Sequence, residues 1–403
     1  MSRFLFVVPP LTGHINPTVA VGMELASRGH EVAWTGPSFA LNKLLPREMM
    51  QFWTNEAFSE EQMKEITEQG QGIRGAEAFR FLWRDFLLPL GKAMLPEVER
   101  AIDAFSPDML IVDQQAIAGA VVARQRGLPW ATSATTSSDL VDPFETFPLF
   151  ANWLQDELTA FQHQAGVSLE AASVGDLRFS EDLVLAFSTR ELIGSGKPFP
   201  EEWVFVGPAI EKRPSAAEFP WGWLEPGKRH VLLTLGTVNG SSGQEFFAKA
   251  VAAARQLSDS LQMVVVAPEG MVEDVPQNVL VLPSVPQLQL LPLIDVVICH
   301  AGHNTVCETL AHGIPLIVAP IRDDQPIIAQ QVINAGAGLR LKFGRVKPED
   351  FIEALTAIFR DDSYRKRAEV IQKTFQAAGG TPKAVDALEQ LAAKSSLSVA
   401  VAG

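Results

Sequence analysis

The sequence predicts an α/β protein with two doubly wound parallel-sheet domains facing a cleft, and three observations carry that prediction. Strand-like runs alternate with helix-like segments along the whole chain, and the runs are continuous in Val, Ile and Leu. The alternation breaks once, in a Pro- and Gly-rich stretch near the middle. A strand-then-helix rhythm favours parallel strands with helical crossovers, and continuous apolar runs suit strands covered on both faces. A length of 403 residues allows two or three domains.

Taken in order, Phe4–Val8 reads as a strand, Pro17–Arg28 as a helix closed by Gly29, and Glu31–Trp34 as a second strand. Met109–Val112, between Asp108 and Asp113, is a buried strand, and Ala116–Arg126 is the helix after it. The rhythm restarts with His230–Leu235, Met263–Ala267, Val279–Leu282, Val296–Cys299 and Pro315–Ala319 as strands. Between the halves, Arg213–Lys228 holds Pro214, Pro220, Pro226, Gly222 and Gly227 with no apolar period, as an interdomain linker does. The expected organisation is an N-terminal domain over 1–212, a linker over 213–228 and a second domain over 229–380. A C-terminal helix and tail follow over 381–403, with Lys383–Lys394 amphipathic and Ser395–Gly403 frayed. One large α/β domain is the plainer alternative.

Charge and composition exclude several functions. With 33 Lys+Arg against 47 Asp+Glu the net charge is −14, so no basic face is built for a phosphate backbone and no nucleic-acid partner is expected. Two cysteines, Cys299 and Cys307, make no disulfide framework and fit a reducing compartment. The apolar run after Met1-Ser2-Arg3 stops at Pro9-Pro10, too short for a signal peptide, and no run approaches ~20 apolar residues, as a membrane span needs. A cytoplasmic protein with no membrane span is expected.

Doubly wound sheets bind ligands beyond the carboxyl ends of their strands. His14, in the turn after the first strand, and Asp113, at a strand end, meet that condition and can point into one cleft. A histidine serves as a base near pH 7, and a carboxylate on its other ring nitrogen fixes the tautomer. Each also has an ordinary reading, as a loop histidine capping a helix and as a turn aspartate. The second half is denser. Cys299-His300-Ala301-Gly302-His303-Asn304-Thr305-Val306-Cys307-Glu308 follows a strand and turns through Gly302 into a helix, whose N-terminus suits an anion. His300, Asn304 and Thr305 can bond a diphosphate, and Glu308 can accept from ribose hydroxyls. Leu235–Ser241, containing Thr237, offers a second phosphate cradle, while Asp324 and Gln325 at another strand end suit sugar hydroxyls. His303 and Cys307, four apart, raise a metal reading. Neither C-x-x-C nor H-E-x-x-H spacing is present, so buried thiols and no metal are expected.

Val285-Pro286-Gln287, His300-x-Gly302-x-Asn304-Thr305-x-x-Glu308, Gly313-x-Pro315 and Asp324-Gln325 run in order over about forty residues. They resemble the donor-binding signature of the UDP-glycosyltransferase superfamily, specifically of its bacterial natural-product members acting on macrolides, carotenoids and polyketides. Gly13-His14, Asp113, Val206-Gly207-Pro208 and Trp223-Leu224 extend the resemblance over nearly the whole chain. It implies a GT-B fold, acceptor in the first Rossmann-like domain, nucleotide sugar in the second, and the C-terminal helix packed back on the first. It implies an inverting hexosyltransferase without metal or resident cofactor. His14 would deprotonate the acceptor hydroxyl, and Asp113 would stabilise the imidazolium. His300, Asn304, Thr305 and the helix N-terminus would carry the diphosphate, Glu308 and Gln287 the ribose, Val285 the base, and Asp324 with Gln325 the sugar. Gly13, Thr237, Ser284, Gly302 and His303 complete the implied donor-binding set.

Ser284 stands where many members carry a Trp that stacks on uracil, which leaves UDP- and dTDP-hexose donors both open. Aromatic residues Phe52, Trp53, Phe58, Phe79, Phe81, Trp83, Phe86, Phe144, Phe147, Phe150 and Trp153 suit either core or a pocket for a lipophilic hydroxylated acceptor. A monomer or homodimer is expected. The alternatives are a MurG-like transferase to a lipid, a nucleotide-sugar epimerase, and a non-catalytic nucleotide-sugar-binding auxiliary protein.

Overall fold

Seven strands form the first sheet: β1 (Arg3–Val7), β2 (Glu31–Gly36), β3 (Met50–Trp53), β4 (Met109–Asp113), β5 (Trp130–Ala134), β6 (Val184–Ala186) and β7 (Trp203–Phe205). Six form the second: β8 (Arg229–Thr234), β9 (Leu261–Val266), β10 (Val279–Leu282), β11 (Val296–Cys299), β12 (Leu316–Val318) and β13 (Gly338–Arg340). The computed structural model describes residues 1–54, 58–70, 72–73, 75–141, 148–194, 198–210, 217–236 and 243–402.

Both sheets are parallel throughout, in the orders β3-β2-β1-β4-β5-β6-β7 and β10-β9-β8-β11-β12-β13. Each order reverses direction once, at the β1/β4 pair and at the β8/β11 pair. Successive side chains of a strand point to opposite faces. Accordingly Leu5 and Val7 join one apolar core of the first sheet, while Phe4, Phe6 and Val8 join the other. In the second sheet Leu232 and Val297 face one core, and Val231, Leu233, Val296 and Ile298 the other. Burial on both faces is the reason these runs carry no polar alternation.

The chain divides into two compact units, Met1–Thr189 with Ser195–Arg213 and Ala378–Gly403, and Arg190–Gly194 with Pro214–Ala377. Part of the expected linker, 213–216, lies outside the described residues. The C-terminal helix Gly380–Ala402 belongs to the first unit. Its Ala384, Val385, Leu388 and Ala392 share a core with Ile15, Val19 and Leu25 of helix Thr12–Ser27. Arg28 reaches Asp386 at 2.6 Å and Glu389 at 2.9 Å, and Glu389 accepts from His30 Nε2 at 2.9 Å. This helix runs on to Ala402 where a frayed tail was expected, because no Pro or Gly interrupts 395–402. Among the described residues, no helix is long and apolar enough to cross a membrane.

Candidate active site

At the β1/β4 switch point, Val7 and Val112 are register partners, so the chain leaving β1 and the end of β4 emerge side by side. Asp113 is the last residue of β4, and its side chain is fully buried. His14 occupies the first turn of helix Thr12–Ser27, which corrects the expectation of a free turn with a helix starting at Pro17. Pro17 lies inside that helix. Burial of Ile15, Val19, Val21 and Leu25 on the sheet outweighs the roughly 3 kcal/mol that an interior proline costs. The earlier start fixes His14 rigidly against Asp113.

The His14 Nδ1 atom lies 2.9 Å from Asp113 Oδ1 and 3.0 Å from Oδ2. Asp113 Oδ1 also accepts from the Gln115 backbone N–H at 2.9 Å. With the Nδ1 proton directed at the carboxylate, the imidazole lone pair sits on Nε2. A histidine so oriented can take a proton from a hydroxyl and share the resulting charge with Asp113. Thr135, one residue past β5, completes the cluster and was not singled out in the sequence. A lone threonine within Thr-Ser-Ala-Thr-Thr-Ser-Ser carries no signal beyond its place at a strand end.

The second unit builds its site at the equivalent β8/β11 switch point. Gly236 follows β8, and His300 to Gly302 follow β11. Ala301 is held at φ +66, an uncommon conformation for a non-glycine residue that turns the chain sharply between strand and helix. The His300 ring is wedged between two glycines. A Cβ on Gly302 would fall 2.5 Å from Nε2, and one on Gly236 would fall 2.8 Å from Cε1.

Helix His303–Ala311 then begins, with Gly302 as its N-cap and Asn304 and Thr305 in its first turn. First-turn N–H groups lie outside the helix ladder and carry the positive dipole end, so this terminus is built for an anion. One turn on, Glu308 Oε2 accepts from Gln287 Nε2 at 2.6 Å. The structure thus joins two residues that are 21 positions apart in the chain. Val285 lies beside them, its carbonyl accepting from the Gln287 N–H at 2.8 Å, and Ser284 before it is exposed.

Other expected positions fall differently. His303 is buried, with Nε2 3.5 Å from Cys307 Sγ. Burial pushes the Cys299 thiol up to about 12 and the Cys307 thiol up as well, so both stay protonated. Asp324 is the N-cap residue of helix Gln325–Asn334. Gln325 Oε1 accepts from the Ile321 and Arg322 N–H groups at 2.9 and 3.1 Å. That oxygen therefore shapes the loop, and the amide nitrogen is the part suited to a sugar hydroxyl. Gly13, expected with the donor set, belongs to the first unit beside His14. Thr237 and the rest of its cradle over 237–242 lie outside the described residues.

Residues 197–376 match the family of UDP-glucoronosyl and UDP-glucosyl transferases. The chain is 27% identical over 387 residues to the NDP-glycosyltransferase YjiC of Bacillus licheniformis, covering 94% of this chain and 95% of that protein. It is 27% identical over 425 residues to 4'-demethylrebeccamycin synthase of Lentzea aerocolonigenes, covering 97% and 99%. These matches make the chain similar to the UDP-glycosyltransferases, most directly over its second unit. Its fold is that of the spinosyn rhamnosyltransferase SpnG complexed with thymidine diphosphate, at a TM-score of 0.72 and 24% identity over 96% of this chain and 100% of that one.

Burial pushes His300 down to about 4, against a smaller opposing pull from a hydrogen bond with the Thr234 backbone. It is neutral at physiological pH and meets a ligand as a hydrogen-bonding group, not a cation. A histidine held neutral when folded but free to protonate when unfolded costs stability as pH falls from 6.5 toward about 4. His300→Asn is therefore expected to gain stability relative to the wild type over that window, by up to about 3 kcal/mol. Urea titrations of both proteins at pH 7 and pH 4.5 check this, and a constant difference between them counts against it.

The aromatic residues of the first unit divide between core and rim. Phe58, Trp83 and Phe86 are buried in the first unit's core, Phe52, Phe79 and Trp153 pack against it, and Trp53 is exposed. Phe79, Phe150 and Trp153 meet edge-on at centroid distances of 6.1 to 6.5 Å, with the Arg80 guanidinium 5.0 Å from the Phe150 ring centre. Phe81 is half-buried, and Phe144 and Phe147 lie outside the described residues.

Proposed function

We propose that this glycosyltransferase moves a hexose from a nucleoside-diphosphate sugar to a hydroxyl of a lipophilic small molecule, with inversion at the anomeric carbon. The observation that carries this reading is the His14 Nδ1–Asp113 contact of 2.9 Å at the first sheet's switch point. A protein that only held a nucleotide sugar needs no oriented base on its other unit.

In the reaction, His14 Nε2 takes the acceptor's hydroxyl proton while the oxygen attacks the anomeric carbon. The bond from that carbon to the β-phosphate oxygen breaks, and the nucleoside diphosphate leaves with its electron pair. Each unit contributes one part: the base on the first, and on the second the groups that meet the leaving charge. Those groups are the N-terminus of helix His303–Ala311, His300, Asn304 and Thr305. His300 stands beside that terminus with its ring pressed between Gly302 and Gly236. Gln287 and Glu308, already paired, suit the two ribose hydroxyls.

Ser284 has no ring to stack on a base, and SpnG was solved with thymidine diphosphate, so dTDP- and UDP-hexoses are the donors to try first. The lipophilic acceptor is supported by the Phe79, Phe150 and Trp153 cluster and by the natural-product names of the relatives. A thermal-shift panel with UDP, dTDP and GDP tests the donor half. A ligand at 100 times its dissociation constant adds about 2.7 kcal/mol to the native state. UDP or dTDP is expected to raise the melting temperature, and Glu308→Ala is expected to lose that rise. No shift with any nucleotide removes the donor reading. The anomeric configuration of the product tests the chemistry, since retention rules out direct displacement.

A further inference from the structure

We infer that Thr135 is a positioning residue that fixes the His14 ring and the Asp113 carboxylate it faces. The inference rests on the proposed role of His14 as base, but its geometry stands apart from any substrate. Thr135 Oγ1 lies 2.7 Å from His14 Nδ1 and 2.7 Å from Asp113 Oδ2. Thr135 is 2% exposed and the Asp113 side chain is fully buried, so bulk water does not stand in for the hydroxyl.

A hydroxyl has a single proton, which leaves two arrangements. In one, Thr135 donates to Asp113 Oδ2 and its oxygen accepts from the His14 Nδ1–H. In the other, it donates to a bare Nδ1, which then faces two carboxylate oxygens at 2.9 and 3.0 Å with no proton between them. The second sets lone pairs against a negative charge in a dry site, where such a clash is costly. A hydrogen bond donated to a carboxylate is roughly twice as strong as a neutral one, so the first arrangement wins.

Three consequences follow for this site. The Nδ1 proton has acceptors on both Asp113 and Thr135, so the ring cannot turn over without losing both. The carboxylate is held on both sides, by Gln115 N–H at Oδ1 and Thr135 O–H at Oδ2. The basic lone pair is confined to Nε2. Thr135 reaches this position because β5 lies next to β4, with Ser133 in register with Asp113.

Thr135→Val keeps the volume and removes the hydroxyl. Its kcat is expected to fall about tenfold or more, the worth of one hydrogen bond to a charged group, with both KM values unchanged. The carboxylate, having lost a donor, pulls harder on the imidazolium, so the acidic limb of the kcat/KM profile moves to higher pH. In 15N spectra, the His14 signals (identified by their absence in His14→Ala) should shift, because the Nδ1–H loses one of its two acceptors and the ring one of its anchors. Thr135→Ser should restore both kcat and spectrum, and Thr135→Ala serves if the Val variant does not fold. A wild-type spectrum and kcat in Thr135→Val overturn the inference, as does a Ser variant as impaired as Val. The spectrum needs no transfer reaction. A changed His14 spectrum in a protein with no transferase activity would therefore sink the proposed function while leaving this inference standing.

Discussion

His14→Ala is expected to lose about a thousandfold in kcat/KM while still binding the nucleoside diphosphate, since a positioned general base contributes about 10²- to 10⁴-fold. The variant should fold. Asp113 is buried, and losing its ionic partner would be serious if His14 were its sole contact. It retains the Gln115 N–H at 2.9 Å and the Thr135 hydroxyl at 2.7 Å, which together satisfy both carboxylate oxygens. Nucleotide binding should persist because His300, Asn304, Thr305 and Glu308 all belong to the second unit. Asp113→Asn should be nearly as slow. Its amide can set an N–H against Nδ1 and favour the wrong tautomer. Steady-state rates with a saturating donor, beside a thermal shift with the matching nucleotide, separate the two halves. Full activity in His14→Ala ends the base assignment. Lost nucleotide binding shows a role for His14 in the donor site instead.

Gly302→Ala is expected to weaken donor binding by about tenfold or more, as much as removing the His300 side chain. Gly302 has φ −65, a value alanine adopts without strain, so its effect is steric. The new Cβ would fall 2.5 Å from His300 Nε2, and the ring is backed by Gly236, where a Cβ would fall 2.8 Å from Cε1. A rigid, buried ring between two such walls has to leave its place. If the displaced imidazole is the cause, Gly302→Ala adds nothing in a His300→Ala background. Measured donor affinities of the two single variants and the double variant complete this cycle. Wild-type affinity in Gly302→Ala removes the wedge as a functional device. An equal loss in both backgrounds means that the glycine serves the backbone's own approach to the diphosphate.

The second-unit site was largely readable because its residues are consecutive. Cys299 to Glu308 is one strand-to-helix turn, and spacing alone places His300, Asn304, Thr305 and Glu308 around its N-terminal end. What spacing could not show was the Gly236 wall, supplied by the neighbouring strand β8, or the strained Ala301 between His300 and Gly302. Nor could it show that Gln325 spends its oxygen on the loop that carries it. The helix start at Thr12 was missed because proline is a strong local stop signal, and only packing on the sheet reveals that the helix passes through it.

By itself the sequence determined eight of the thirteen strands, the parallel arrangement of both sheets and the two βα turns to which chemistry is assigned. Continuous apolar runs have one stable solution, a sheet covered on both faces, and short-range turn chemistry is written in adjacent residues. The tertiary structure decided the His14–Asp113–Thr135 cluster. Asp113 is 99 residues from His14 and Thr135 is 121, and no local propensity relates them. They meet because the first sheet orders β1, β4 and β5 side by side, an order set by how helices cover the sheet. Hydrogen bonds reach only about 3 Å, so whether three polar side chains become one proton-handling unit is settled by that packing alone.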